Sequence, residues 1–397
     1  MNQLQLFLPC AAGVEELLAH EVHHLTGLKG QDLLTHRGGV LARASWRDVM
    51  LLNLHGRLAQ RVLVQLSLTT YRSEKDLYEA ASAVAWEIWF TTRQTFKIEV
   101  TAQHSPLTSL NFAALKIKDA VADRFRHKTG VRPDVDTQWP DVRIYAHLTT
   151  DTATLYIDTS GEPLFKRGWR EDTGEAPLKE TLAAAMIAAS GWEALAADGV
   201  PLYDPCCGSG TIAIEAAQIA CNIAPGMLRS FAFEKYLPFQ AHVWSAIKKE
   251  AADAQVVRAT GQKPIIFGSD VAHRMVDFAQ RNAQRAGVAD VIEFRGGDAL
   301  QRMPPTDVPG VMLLNPPYGE RIEVAGVAGR EQAITEDGGE FFSQLATHWK
   351  KNYPNWTAWV LTPDLKLPGK MRLKESRRVP MWNGPIECRM FRFDMVK

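Results

Sequence analysis

The chain has 397 residues with 45 basic and 45 acidic side chains, and 46% of its residues are apolar. This composition is that of a globular protein with room for two or three domains. Zero net charge argues against a protein that coats nucleic acid indiscriminately, and no run of about 20 apolar residues provides a membrane span. The five cysteines are scattered without CxxC spacing, so no disulfide framework or zinc ribbon is expected, and the expected compartment is the cytoplasm.

Residues 1–65 are predicted to alternate short strands with an amphipathic helix, whose apolar face runs from Val14 to Leu25. The sequence His-Glu-Val-His-His at residues 20–24 matches the H-E-x-x-H pattern of zinc proteases. On the helix, however, His20 and His24 point away from the apolar face, and no third ligand is evident. We therefore interpret the match as a coincidence and expect no metal site.

Residues 66–165 form a second predicted α/β unit. It contains a strand at 95–101, a helix at 111–125 and a hairpin made of residues 141–148 and 153–158. A strand, a basic helix and a hairpin suit a small module that binds RNA through its shape and its phosphates. The alternative is an accessory α/β domain.

Basic residues are concentrated in two stretches, 111–132 and 366–378, with six in each. Each stretch can contact phosphates, and each can equally be a solvated surface. Residues 161–177 are rich in glycine, proline and charge, and we interpret them as a linker between halves whose basic and aromatic side chains can touch nucleic acid. The candidate RNA-binding residues are Lys116, Lys118, Arg124, Lys128, Arg167, Trp169 and Arg170.

From about residue 166 onward, strands and helices alternate, which predicts a mostly parallel sheet covered on both faces. The predicted strands are Pro201–Cys206, Pro264–Asp270, Val291–Asp298, Gly310–Asn315 and Thr357–Pro363. The predicted helices are Leu178–Ser190, Thr211–Ala220, Ala272–Ala286 and Glu340–Lys350. Asn-Gly at 383–384 lies between two strand-like runs and predicts a closing antiparallel hairpin. Residues 222–263 are interpreted as an insertion.

A glycine turn follows the first strand of this half, in the sequence Asp-Pro-Cys-Cys-Gly-Ser-Gly-Thr at residues 204–211. The glycines let the backbone approach a ligand closely, and the start of the next helix offers free N–H groups. Gly208-x-Gly210-x-x-Ala213 also fits the looser form of the dinucleotide fingerprint. The turn alone therefore leaves NAD and S-adenosylmethionine open.

Acidic residues at three successive strand ends favour S-adenosylmethionine over NAD. Asp204 can take the ammonium group of a methionine-like tail but would repel a pyrophosphate. Asp270 is placed for a ribose diol, and Asp298 for an adenine amino group or ring edge. The closing hairpin is also more typical of methyltransferases than of dehydrogenases. The candidate cofactor-binding residues are Asp204, Pro205, Cys206, Gly208, Gly210, Thr211, Asp270, Asp298 and Asn315.

The sequence Asn-Pro-Pro-Tyr at residues 315–318 follows a buried, four-residue apolar strand and stops it at once. The side-chain oxygen of Asn315 and the carbonyl of Pro316 can accept hydrogen bonds from an exocyclic amine, and neither proline offers a competing N–H donor. Tyr318 can stack on a flat heterocycle. An ordinary proline turn is the alternative. The candidate catalytic residues are Asn315, Pro316, Pro317 and Tyr318.

Four motifs together carry a family resemblance: residues 204–211, residues 315–321, Ala-Pro-Leu-Lys-Glu-Thr-Leu-Ala-Ala at 176–184 and Ala-Ala-Gly-Val-Glu-Glu-Leu-Leu at 11–18. They resemble motifs of the THUMP-domain RNA methyltransferases, most closely the RlmL-type guanine-N2 methyltransferases of 23S ribosomal RNA, over essentially the whole chain. The usual Asp-Pro-Met/Phe-Cys-Gly becomes Asp-Pro-Cys-Cys-Gly here. Some members carry a second, C-terminal methyltransferase domain, which we do not expect in this chain.

The resemblance implies an α/β protein with a Rossmann-like, class I S-adenosylmethionine methyltransferase domain at 166–397. It also implies an α+β ferredoxin-like segment at 1–65 and a THUMP RNA-binding domain at 66–165. The implied reaction is methylation of the 2-amino group of a guanosine, with 23S ribosomal RNA as the expected partner. Three alternatives stay open: a tRNA guanine-N2 enzyme, a DNA adenine-N6 enzyme, and an RNA-binding assembly factor without activity.

Overall fold

The computed structural model describes residues 3–174, 177–258, 261–317 and 339–396. The chain divides into two compact units. The described residues of Met1–Cys10, Leu18–Leu164 and Arg229–Glu250 make up unit 1. The described residues of Ala11–Leu17, Phe165–Leu228 and Ala251–Lys397 make up unit 2.

The described residues contain fourteen strands and eleven α-helices. The strands are β1 (Leu4–Pro9), β2 (Leu33–His36), β3 (Gly39–Ala44), β4 (Leu63–Thr70), β5 (Phe96–Ala102), β6 (Val142–Leu148), β7 (Thr152–Asp158), β8 (Leu202–Asp204), β9 (Ile266–Asp270), β10 (Ile292–Gly296), β11 (Val311–Leu314), β12 (Thr357–Thr362), β13 (Arg377–Asn383) and β14 (Ile386–Asp394). The helices are α1 (Glu15–Thr26), α2 (Trp46–His55), α3 (Glu74–Ala83), α4 (Leu110–Thr129), α5 (Glu180–Ser190), α6 (Trp192–Ala196), α7 (Thr211–Ala220), α8 (Ala241–Asp253), α9 (His273–Arg285), α10 (Gly339–Asn352) and α11 (Leu367–Met371).

Unit 1 is built on one seven-stranded sheet in the order β2-β3-β1-β4-β7-β6-β5. The segments 1–65 and 66–165 therefore share a sheet, joined where β4 pairs with both β1 and β7. Helix α4 begins at the cap Ser109, whose hydroxyl accepts the Phe112 N–H, and ends at Gly130 in the left-handed conformation. Its buried face includes Ile117 and Phe125, as the apolar spacing predicts.

Part of the predicted insertion belongs to unit 1 rather than to the domain that surrounds it in the sequence. Arg229 donates hydrogen bonds to the carbonyls of Ser160, Glu162 and Pro163 at 2.8–3.0 Å. Phe233 packs edge-on against Trp46 of α2, with ring centroids 6.4 Å apart. Aromatic packing and a fully used guanidinium thus fix residues 229–250 to unit 1, which a chain-order assignment of domains does not reveal.

Unit 2 is built on a seven-stranded sheet in the order β10-β9-β8-β11-β12-β14-β13. The first five strands in this order pair in parallel, whereas β14 is antiparallel to β12 and β13 is antiparallel to β14. Strands β8, β9, β10, β11 and β12 overlap the five predicted strands, and the closing hairpin turns after Asn383 as predicted. One face of β12 packs through Ala358 and Val360 on a core that includes Trp349 of α10.

The predicted linker is packed into unit 2, and this corrects two predicted RNA contacts. Trp169 is fully buried, and Arg167 is 2% exposed. The Arg167 guanidinium contacts the equally buried Glu215 at 3.1 Å and 3.3 Å. Loss of one partner of such a pair leaves an uncompensated buried charge. Neither Arg167 nor Trp169 is available to a nucleic acid, because both side chains are buried inside unit 2.

The edge strand β13 is met by a turn from near the start of the chain. The backbone N–H of Trp382 donates to the Ala12 carbonyl at 3.1 Å. Gly13 has φ +91°, and a Cβ atom built on it would lie 2.3 Å from the Pro380 carbonyl oxygen. Only glycine fits both the positive φ and this close approach. The Ala-Ala-Gly motif therefore has a structural function in unit 2, where it covers part of an exposed sheet edge.

The H-E-x-x-H match lies on α1. His20 and His24 are exposed, while the Glu21 carboxylate accepts hydrogen bonds from the backbone N–H groups of Arg57 and Leu58. Within the described ranges, no group of three or more metal-ligating side chains converges. None of the described helices is both long enough and apolar enough to cross a membrane.

Replacement of Gly13 by alanine is expected to destabilise unit 2 by about 2–4 kcal/mol, because left-handed strain and overpacking act together. Urea denaturation followed by tryptophan fluorescence measures the change. The matched control is Gly199→Ala in the same unit, where φ is +76° but no atom lies within 4 Å of the added Cβ. An equal loss in both variants would show that the contact with Pro380 contributes nothing.

Candidate active site

The carboxyl ends of β8 and β11 define the candidate site. The strand order of unit 2 reverses between these two strands, since β9 and β10 lie on one side and β12 lies on the other. In open parallel sheets, ligands bind in the crevice at this switch point. Asp204 is the last residue of β8, and Asn315 directly follows β11. The topology therefore brings the two main predicted motifs to one edge of the sheet.

The loop after β8 has the conformation that a close ligand contact requires. Gly208 has φ +52°, and no atom lies within 4 Å of a Cβ built on it, so the space beside it is open. Gly210 has φ +91° and precedes the first turn of α7, and its own Cβ would meet Ala279 at 3.0 Å. Gly208 thus gives room towards the site, whereas Gly210 lets the loop pack against α9.

The predicted acidic residues hold the backbone of the loops that carry them. The Asp270 carboxylate accepts the Gly208 N–H and the Ala272 N–H, each at 2.9 Å. Asp298 accepts the Leu300 N–H at 2.9 Å. Asp270 therefore connects the glycine loop to the end of β9, and a carboxylate has about four lone-pair sites for such contacts.

The three carboxylates create a negative field at one point. Burial raises the pKa of the Cys206 thiol well above its ordinary value, and Asp204, Asp270 and Asp298 each raise it further. A thiol senses a carboxylate in this way only when the two are close. Parallel pairing places the ends of β8, β9 and β10 side by side, and Asp270 contacts the glycine loop after β8, so the negative charge at this edge suits a cationic ligand and disfavours a pyrophosphate.

Asp204 is the most deeply buried of these acids. It is 2% exposed, and within the described part of the chain it accepts one hydrogen bond, from the Cys206 N–H at 2.9 Å. Burial raises its pKa to about 8, the Cys206 N–H lowers it, and the nearby Asp270 carboxylate raises it. A buried carboxylate with so little compensation is a typical feature of a functional site.

Arg170 supports the glycine loop, so its predicted contact with RNA is corrected. Its guanidinium forms an ion pair with Glu180 at 2.7 Å and donates to the Ser209 hydroxyl at 2.6 Å and to the Thr211 hydroxyl. It also lies over the Trp169 ring at 4.9 Å. Thr211 and Pro205 are themselves buried. The donors of Arg170 are therefore used to hold the loop, and its charge is compensated inside unit 2.

A further residue that holds the loop, Asn282 on α9, is absent from the sequence-based predictions. It is fully buried, and its amide donates to the carbonyls of Ser209 and Asp172 at 3.1 Å and 2.9 Å. The available signal was a polar residue on the same helical stripe as Val276 and Ala279. A polar residue at such a position is expected to be buried and hydrogen-bonded, but the sequence does not identify its hydrogen-bond partner.

Asn315 presents a buried acceptor to the switch point. Its Oδ1 atom has no exposed surface and no hydrogen-bond partner among the described residues. Pro316 beside it is buried, and Pro317 is half-buried. An unpaired buried carbonyl oxygen costs about 1–3 kcal/mol, so an N–H donor from a ligand would be stabilised there. Tyr318, the fourth predicted catalytic residue, lies outside the described residues.

Four of the predicted RNA-binding residues lie on α4 in unit 1. Arg124 forms a two-pronged ion pair with Glu87 at 2.7 Å and 3.0 Å, so the structure corrects its predicted role to a structural one. Lys118 lies 3.0 Å from Asp119, and the Lys116 ammonium lies over the Phe112 ring at 5.3 Å. Lys128 is exposed. For the three lysines, RNA contact stays a prediction.

The fold of unit 2 and the chain as a whole have known relatives. A ribosomal RNA large subunit methyltransferase K/L from Psychromonas ingrahamii is 38% identical over 390 residues, which are 97% of this chain and 49% of that protein. The chain spans about half the length of the curated relatives it matches.

Two solved structures resemble the whole chain. A protein described by its structure's name as a methyltransferase, crystallised with S-adenosylhomocysteine, has a TM-score of 0.85 at 28% identity, covering 99% of this chain and 98% of that one. The predicted N6-adenine-specific DNA methylase of Listeria monocytogenes has a TM-score of 0.84 at 29% identity, covering 99% and 96%.

Family models match three successive regions. Residues 5–63 match the RlmL ferredoxin-like domain, and residues 71–158 match the THUMP domain. Residues 167–392 match the RMKL-like methyltransferase domain. The predicted fold class and family are thereby confirmed. Because the last match alone covers more than half of the chain, this protein belongs to the RMKL-like methyltransferase family.

Proposed function

We propose that this chain methylates the exocyclic 2-amino group of a guanosine in RNA, with S-adenosylmethionine as the methyl donor and 23S ribosomal RNA as the substrate. The observation that carries the proposal is the buried, unpartnered Oδ1 atom of Asn315 at the switch point of the sheet. An amino group of a purine supplies the N–H donor that this oxygen lacks. The cytoplasm is the corresponding location.

The residues at the strand ends fit S-adenosylmethionine. The open space beside Gly208 admits a close ligand, and the field of Asp204, Asp270 and Asp298 suits a cation. Asp204 is proposed to hold the ammonium group, Asp270 the ribose diol, and Asp298 the adenine. When bound, this cofactor supplies an electrophilic methyl group. The S-adenosylhomocysteine in the related crystal structure supports the proposal.

Catalysis is proposed to depend on the position of the target amine. Asn315 Oδ1 and the Pro316 carbonyl accept its two hydrogens, which turns the nitrogen lone pair towards the electrophile. Tyr318 is proposed to stack on the base after the base leaves its helix. Correct placement at about 3 Å supplies most of the rate enhancement. A strong general base is unnecessary, because the amine proton can leave after the N–C bond has formed.

The substrate is proposed from the relatives and from unit 1. The name of the Psychromonas relative refers to large-subunit ribosomal RNA, and residues 71–158 match the THUMP domain. The Listeria structure, by contrast, is named for DNA adenine. An amine-accepting Asn-Pro-Pro site serves either base, so the substrate must be measured directly.

Labelled methyl transfer to unmodified 23S RNA, followed by nucleoside analysis, is expected to yield N2-methylguanosine. Transfer RNA and duplex DNA are assayed beside it at equal nucleotide concentration. N6-methyladenosine in DNA, or label in tRNA alone, would overturn the proposed substrate and leave the cofactor proposal standing. RNA binding without any product would instead favour an assembly factor.

Asn315→Ala is expected to lower kcat by about 10²–10³-fold, the usual effect of removing one preorganised polar group. Asn315→Asp keeps an acceptor at the same position and is expected to retain more activity. Single-turnover rates measure both. Equal rates for native protein and Asn315→Ala would contradict the role of Asn315, provided that calorimetry shows unchanged cofactor binding.

Cofactor affinity is expected to rise with pH up to about 8, because the Asp204 carboxyl, whose pKa is about 8 in the free protein, must lose its proton to bind a cation. Titration calorimetry in buffers of different ionisation enthalpy measures the released proton. Asp204→Asn is expected to bind weakly at every pH and to release none. The exposed Asp307→Asn variant is the control.

The Asp204 carboxyl also makes the stability of the free protein depend on pH, and stability falls over the range in which cofactor affinity rises. Its pKa is raised on folding, so the free native protein loses stability relative to Asp204→Asn as pH rises from about 4 to about 8. The expected difference above pH 8 is about 1–3 kcal/mol. A variant no more stable than the native protein would contradict the incomplete compensation of this carboxylate.

A further inference from the structure

The closing hairpin of unit 2 places two arginines directly opposite each other. Arg377 on β13 pairs with Arg392 on β14, and Arg392 pairs with Trp359 on β12. Both guanidiniums lie over the ring of Trp359, at 6.0 Å and 5.9 Å from its centroid. The three side chains therefore form one row across three neighbouring strands, on the sheet face opposite the core under α10.

In the absence of a bound ligand, this pair of like charges destabilises the sheet. Like charges directly opposite each other on neighbouring strands destabilise a sheet. Arg392 is compensated by Asp394 at 3.0 Å, whereas Arg377 has no ion-pair partner among the described residues. Contact with the buried Trp359 ring offsets part of the cost and limits the freedom of both guanidiniums. The result is an exposed, preordered positive charge.

Further basic residues precede Arg377 in the sequence. Arg372 and Lys374 are exposed. The acidic residue next to Lys374 in the sequence, Glu375, forms an ion pair with Arg378 at 2.7 Å. We name Arg372, Lys374, Arg377 and Arg392 the hairpin strip. It lies within the second basic stretch of the sequence, apart from Arg392, and none of its residues has a role in the site at the switch point.

We propose that the hairpin strip binds the phosphodiester backbone of the RNA substrate, a proposal that rests on the proposed function. Arginine forks match phosphate oxygens, and a buried Trp359 offers no ring face for base stacking, so the contact is with phosphates and carries no sequence preference. The site at the switch point selects the base, and the strip contributes affinity.

The distance from the strip to the site suits one continuous RNA. Three strand spacings separate β11 from β13, which is about 14 Å. Arg377 lies level with Trp359, three residues before the end of β12, which is about 10 Å along the strand. A backbone a few nucleotides away from the target guanosine therefore reaches the strip.

The test is binding of a fluorescein-labelled, 30-nucleotide RNA of mixed sequence, measured by anisotropy from 50 to 300 mM salt. Arg377→Glu is expected to weaken binding about tenfold and to reduce the salt slope by about one. The fold is protected in this variant, because a glutamate opposite Arg392 replaces a repulsion by an attraction, so its melting temperature is expected to equal or exceed that of the native protein.

The control is Arg295→Glu, an equal change of charge at an exposed arginine on β10, which pairs with Glu293 at the opposite edge of the same sheet. It is expected to leave RNA affinity within about twofold. If Arg377→Glu and Arg295→Glu weaken binding equally, the effect is one of net charge and the strip proposal is wrong. Native affinity in Arg377→Glu overturns it too.

Binding of RNA and transfer of methyl groups separate this proposal from the proposed function. With 23S RNA as substrate, Arg377→Glu is expected to raise KM for RNA and to leave kcat and cofactor affinity unchanged. A lower kcat at saturating RNA would overturn a pure affinity role. If the native protein methylates nothing, the proposed function fails, and the anisotropy measurements still decide whether the strip binds RNA.

Discussion

The concentration of negative charge at one edge of the unit 2 sheet is the constraint on which the rest of the site depends. Parallel pairing brings the ends of β8, β9 and β10 together, and each end carries an acid. Each carboxylate is held by a backbone N–H group from its own loop, and among the described residues no cationic side chain pairs with Asp204. The resulting negative potential destabilises the loop in the absence of a ligand. It also favours a cationic ligand over a neutral or anionic one.

Such a loop needs rigid support from behind, and the segment interpreted as a linker provides it. Arg170 connects Glu180 to the hydroxyls of Ser209 and Thr211, and Asn282 holds the Ser209 carbonyl from α9. The guanidinium of Arg170 thus contacts the loop, while its positive charge is neutralised by the ion pair with Glu180. It stabilises the loop while leaving the field at Asp204 negative. This division explains why Arg170, although basic and close to the site, is engaged within unit 2.

Much of the fold of unit 2 follows from the sequence, because strand and helix periods alternate and the glycine turn and Asn-Pro-Pro mark strand ends. The positions of Asp204, Asp270 and Asp298 at or just after strand ends follow in the same way, since the end of a parallel strand can be predicted from the local sequence. Arg167 and Trp169 were misjudged because charge and aromaticity do not reveal burial, and Glu215, the partner of Arg167, lies 48 positions away. The assignment of residues 229–250 to the surrounding domain fails because their partners, such as Trp46 and Ser160, are distant in the sequence and belong to unit 1.

Asp204 and Asn315 are two groups that the described fold leaves incompletely satisfied, and they differ in what would satisfy them. A buried carboxylate needs a positive charge, whereas a buried amide oxygen needs only a neutral N–H donor. The first requirement changes with protonation, and the second does not. With the proposed roles, a cationic methyl donor and a neutral amine would therefore be bound by different interactions at neighbouring strand ends. Each group would therefore discriminate against the other group's ligand. An ammonium group beside Asn315 would lack a counter-charge. A neutral amine beside Asp204 would leave the carboxylate uncompensated.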